Sequence, residues 1–171
     1  MKKFNLMIAS LRKQFKSGGS PFQFHDPGRL IDDDLQLLLC RTRQGDARRG
    51  ITPEYIFDMV SHCDNNSLMG RISLRIGHTE HIEKYAGHIG YTVEPPYRGR
   101  RLAARSCLLI TPLARSHGIN PLWITCNPEN TASRRTCEII GSKLVETIQI
   151  PPNDPLYYWD TKWKCRYRLD L

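Results

Sequence analysis

The run GYTVEPPYRGRRLAAR, residues 90–105, constrains the fold more than any other part of the 171-residue chain. Its first residues read as the end of a strand, closing at Val93, and Pro95 and Pro96 forbid both a continuing ladder and an early helix. A helix starting near Arg101 leaves its first amide groups without intrahelical partners, so that end carries free donors and partial positive charge. Strand, sharp turn and helix start, with Arg98, Gly99, Arg100 and Arg101 at the corner, make a place for an anion.

The length suits a single domain with a real core. Residues 1–21 divide from the rest: Phe4, Met7, Ile8, Leu11 and Phe15 recur at helical spacing among lysines and arginines, and Ser17-Gly18-Gly19-Ser20-Pro21 reads as a linker. A basic amphipathic helix is expected there, either docked on its own domain or a second subunit, or touching a membrane surface. Arg12 and Lys13 interrupt the short apolar patch where a signal peptide needs its cleavage region, and no apolar run approaches the ~20 residues of a membrane span. A cytoplasmic protein is expected. Six cysteines show no CxxC pair and no histidine cluster at zinc spacing, so reduced thiols and no metal are expected. The net charge of +8 invites a nucleic-acid reading, but the arginines fall in small separate groups and no groove-reading motif is present.

Residues 22–171 read as alternating elements. Strands are expected over 35–43, 52–60, 68–76 and 85–93, with 77–84 as an exposed connection. A helix follows the arginine turn and closes at His117-Gly118, with Pro112 inside it expected to bend it. A short buried strand over 121–126, a helix over 131–140 and strands over 143–150 and 164–169 complete the order. The fold class is α/β: a mixed, mostly antiparallel twisted sheet with a central parallel pair of splayed strands and flanking helices.

The turn is followed, after the next strand, by NPENTASRRTCEIIG at 127–141. Together the two stretches resemble the GNAT superfamily of acyl-CoA-dependent N-acyltransferases, and the run GHTEHIE followed by GHIGY is similar to a bacterial subgroup of predicted acetyltransferases. Val93, Pro95, Arg98, Gly99 and Ala103 match the family's first motif, and Asn130, Ser133 and Gly141 its second. The likeness covers about 33–171. It implies an N-acetyltransferase that moves an acetyl group from acetyl-CoA to a primary amine by direct attack in a ternary complex. It implies a pyrophosphate over Arg98 to Ala103, including Leu102, and a pantetheine arm between the splayed strands near Tyr91, Val93, Asn127, Asn130 and Ser133. Asn130 equally reads as a plain helix cap.

Two departures stand out. Arg101 takes the place of a second glycine, so its side chain either points away from the pyrophosphate or folds over it. Cys137 stands where many members have the tyrosine that protonates the departing thiolate; it reads as an acid or as a small buried hydrophobe. Glu83 and His88 are the candidate bases for the acceptor amine, with Glu80 and His81 behind them. The 44–51 segment is short where the family places helices that wall the acceptor site, so a pocket left open, or completed by the N-terminal helix or a partner in a homodimer, is expected. The competing class is a non-catalytic acyl-CoA-binding regulatory domain.

Overall fold

The computed structural model describes residues 21–158 and 162–171. The expected N-terminal helix falls outside them. Strands β1 (Leu30–Asp32), β2 (Leu35–Arg43), β3 (Glu54–Ser61), β4 (Ser67–Arg75) and β5 (Ile89–Val93) pair antiparallel in chain order. Helix α1 (Leu102–Ser116) covers one face of this sheet. Then come β6 (Leu122–Cys126), α2 (Thr131–Ile139), β7 (Lys143–Gln149) and β8 (Trp163–Leu169), and the last three strands form a second sheet in the order β6-β8-β7.

The alternation in β3 decides which face turns inward. Tyr55, Phe57 and Met59 are fully buried and meet Ile72 and Leu74 of β4 and Leu102, Cys107 and Ile110 of α1. Burying each large apolar side chain contributes about 1.5–3 kcal/mol. Ile124, Cys126, Cys165 and Tyr167 from the second sheet join the same core. Helix α1 runs through Pro112 unbroken. The proline removes the amide that would serve the Leu108 carbonyl, and the Thr111 hydroxyl donates to that oxygen instead at 2.8 Å.

Three expectations need correction. β1 was not foreseen; Asp33, at φ 51°, folds it onto β2 with Leu30 opposite Leu37. The strand expected over 85–93 begins only at Ile89. Residues His81–Ala86 form a π-helical turn anchored by buried Ile82, so this stretch is not a solvated connection. Between β2 and β3 the chain makes only a 3-10 turn, Ala47–Arg49, clasped by the Asp46 and Ile51 backbones.

The two sheets meet edge to edge through β5 and β6, which are not hydrogen-bonded along their lengths. Their backbones join at one point, where the His88 amide donates to the Trp123 carbonyl at 2.7 Å. Gly87 makes this approach possible: it holds φ 73°, and a Cβ there would stand 3.0 Å from the Thr125 nitrogen. From that contact β5 leads to Tyr91, whose hydroxyl meets Ser133 of α2, while β6 leads to Asn127 and the start of α2. Both edges therefore head toward the same end of the molecule and open apart on the way.

Candidate active site

Two hollows occupy that opening. An outer groove of 630 Å³ lies over the turn between β5 and α1, and an inner cavity of 280 Å³ lies between the edges of β5 and β6. Tyr91, Asn130 and Ser133 line both, so they stand at the junction.

The groove is built on the turn. Val93, Arg98, Gly99, Arg101, Leu102 and Ala103 line one side; Arg135 and Thr136 of α2 stand across from them. No side chain caps α1, so its first amides open into the groove. Gly99 holds φ 83° with nothing within 4 Å of a would-be Cβ, which leaves backbone on view there. Arg101, in the place of a second glycine, keeps a glycine-like left-handed conformation at φ 56°, ψ 21°. The four arginines of the run have different duties. Arg98 folds back so that its Nε donates to the Val93 carbonyl at 3.1 Å. Arg100 turns away to pair with Asp34, and Arg105 grips Asp32 and Asp34 at 2.6 and 2.9 Å. The Arg105 hydrogen bond pulls the Asp34 carboxyl below its ordinary range. Arg100 does not line the groove, so of the positions expected around the pyrophosphate it is the one turned aside. Asp32 and Asp34 account for this, and their role was not legible before β1 was known.

At the junction Asn130 caps α2, its Oδ1 accepting the Ser133 amide at 3.0 Å. The Tyr91 hydroxyl lies 2.8 Å from the Ser133 Oγ. Burial raises the Tyr91 pKa well beyond its ordinary value, so the phenol keeps its proton. Asn127 reaches the inner cavity and accepts from Lys164 Nζ at 2.6 Å.

Cys137 is fully buried on α2 against Cys126 of β6. The neighbouring Cys126 thiol and burial together keep the Cys137 thiol protonated. His88 is fully buried as well. Its Nδ1 accepts the Trp123 amide of the second sheet at 2.9 Å and its Nε2 donates to the Gly77 carbonyl at 3.0 Å, so both ring nitrogens are engaged. Burial lowers its pKa, keeping the ring neutral. The Glu83 carboxylate lies 3.0 Å from His78 Nδ1. Neither His88 nor Glu83 lines the cavity.

A different histidine, also outside the cavity lining, is tied to two stretches that do line it. His81 opens the π-helical turn whose last residues, Tyr85 and Ala86, line the cavity. Its Nδ1 donates to the buried Asp154 carboxylate at 2.7 Å, and the other Asp154 oxygen accepts the amide of Leu156, also a cavity residue. The sequence offered no signal for this pair, since 73 residues separate its members.

The family model described as the Acetyltransferase (GNAT) domain matches residues 23–143. The chain belongs to the GNAT acetyltransferase family. Among curated proteins none matches it. Solved GNAT structures share the fold at low identity. The microcin C7 self-immunity acetyltransferase MccE, solved with acetyl-CoA and AMP, aligns at 18% identity with TM-score 0.53, over 69% of this chain and 61% of that one. A candidate ribosomal-protein-serine acetyltransferase from Vibrio cholerae aligns at 16% identity with TM-score 0.58, over 86% of this chain and the whole of that one. RimL, a ribosomal L7/L12 alpha-N-protein acetyltransferase solved with coenzyme A, aligns at 19% identity with TM-score 0.53, over 72% and 64%. Among the described residues no helix is long and apolar enough to cross a membrane.

Proposed function

We propose that this GNAT protein is an acetyl-CoA-dependent N-acetyltransferase acting on a primary amine. The observation that carries the reading is the junction: a groove with uncapped helix amides shares Tyr91, Asn130 and Ser133 with a cavity between two splayed strand edges. The groove fits the donor's pyrophosphate, because amides and the bare Gly99 backbone supply donors without bulk and Arg98 and Arg101 add charge. The unpaired edges of β5 and β6 fit an extended amide chain such as pantetheine.

Acetyl-CoA supplies the activated acetyl thioester; the protein's part is to hold it and to manage the acceptor's proton. His81 is the base of this reading. Asp154 fixes its tautomer with the proton on Nδ1, which leaves Nε2 as the basic atom, on the π-helical turn that ends in the cavity residues Tyr85 and Ala86. His88 holds the two sheets in register, and Glu83 orients His78. Cys137 packs the α2–β6 contact. A departing thiolate of ordinary pKa, about 8.5, needs no dedicated acid and takes its proton from water.

The test is release of free thiol from acetyl-CoA in the presence of an amine panel, with the acetylated amine identified by mass. Amine-dependent release supports the reading. Tight CoA binding without turnover of any amine would favour the non-catalytic alternative.

A further inference from the structure

The wall of the inner cavity carries two cations, Arg75 and Lys164, and no Asp or Glu among the described residues that line it. Arg75 lies over Gly90, where a Cβ would stand 3.1 Å from Nη2, and its Nη1 donates to the Gly87 carbonyl at 3.1 Å. Its acidic neighbour, Glu54 at 3.4 Å, sits behind the wall and is shared with Arg43 at 3.3 Å. One carboxylate thus faces two guanidinium groups, and a surplus charge is left. Lys164 makes its hydrogen bond to a neutral amide, Asn127 Oδ1 at 2.6 Å. Burial lowers the pKa of both cations, and Glu54 only partly offsets this at Arg75. A bare diamine or polyamine would bring further positive charge into this space, and like charges in a buried site repel strongly.

We propose that the acceptor is an amine that also bears a carboxylate, as a free amino acid does, with the carboxylate received by Arg75 and Lys164 in the inner cavity. The inference rests on the acetyltransferase reading and names its substrate class. Gly90 serves it by leaving the face of β5 open beside the guanidinium, and Arg75 is fixed by backbone carbonyls, so the charge is positioned before any ligand arrives. Charge-assisted hydrogen bonds to a carboxylate are among the strongest available to such a site.

The experiment compares acetyl transfer to free amino acids, to their carboxamides and to putrescine, alongside calorimetry of CoA. The free acids are expected to exceed their amides by at least tenfold in kcat/KM, with putrescine lowest. Lys164→Gln is expected to shrink the acid-over-amide ratio about tenfold while CoA affinity is retained; Lys164→Glu is expected to invert it. Arg75→Lys, which keeps the charge beside Glu54, is expected to retain part of the preference. Amides served as well as acids, putrescine preferred, or no acid acetylated although CoA binds would each overturn the proposal and leave the cofactor reading standing. Failure of CoA to bind would overturn both.

Discussion

The outer groove and the inner cavity share three residues yet are made in opposite ways. One wall of the groove comes from a single short stretch, a strand end, a glycine and a helix start within residues 91–103, and the other from the start of α2. The cavity is made of side chains brought from β4, β5, β6, the π-helical turn and β8, with Arg75, Asn127 and Lys164 far apart in the chain. On the proposed function, the groove recognises what all acyl-CoA donors share and the cavity selects between acceptors. If that division holds, changes in one hollow should leave the other's function intact.

The largest effect is expected from the π-helical turn beside the cavity. His81→Gln removes the basic Nε2 of the ring that Asp154 orients through Nδ1 and should lower kcat about a hundredfold, the low end for loss of a general base, while CoA affinity in calorimetry stays within about twofold. A parallel loss of CoA affinity would break the division. Next is the groove. Gly99→Val places a β-branched residue at φ 83°, where strain of about 1–3 kcal/mol is expected. CoA should bind roughly tenfold to a hundredfold more weakly, with the acceptor KM little changed.

His88→Leu tests the seam between the two sheets. It leaves the Trp123 amide and the Gly77 carbonyl without their partner, so a loss of about 2 kcal/mol is expected, read as a fall in Tm of about 4–8 °C. The pH dependence has a definite sign. Burial depresses the folded pKa of His88, so the unfolded chain takes up the proton first. This contribution is full above the unfolded value of about 6.5 and is lost as pH falls from there toward the folded value. The variant should show a shallower acid-side decline; His117, shifted in the same direction by burial, keeps part of it. An unchanged slope would remove His88 from the seam.

The smallest effect belongs to Arg101→Gly. Glycine relieves the left-handed conformation at φ 56° but loosens the unfolded chain, so the net gain is about 0.5 kcal/mol. Tm should rise about 1–2 °C, and CoA affinity should fall less than tenfold for want of the guanidinium beside the groove.

What could be read from the chain followed the same division. β2 was legible because an apolar run stood between acidic residues and Gly45-Asp46, and α1 and α2 because Gly118 and Gly141 close them. The motif positions Val93, Gly99, Ala103 and Ser133 were local and did gather in one groove. The π-helical turn was missed because its polar residues outnumber the single anchor Ile82. The contact of Arg100 with Asp34 was not legible because 66 residues separate them, and the burial of His88 was not because a histidine's hydrogen-bond partners are set by the tertiary fold. No periodicity reports that Glu54 is shared between Arg43 and Arg75. That Arg75 and Lys164 share one cavity therefore became visible only once β4 and β8 stood on either side of one space.

The central claim is that the amides and arginines of the turn, from Arg98 to Ala103, hold the pyrophosphate of coenzyme A. Calorimetric titration with CoA and with pantetheine, which lacks the pyrophosphate, tests it most directly. CoA should bind at least a hundredfold more tightly, and rising salt should weaken CoA far more than pantetheine. Equal affinities for the two ligands would contradict the account.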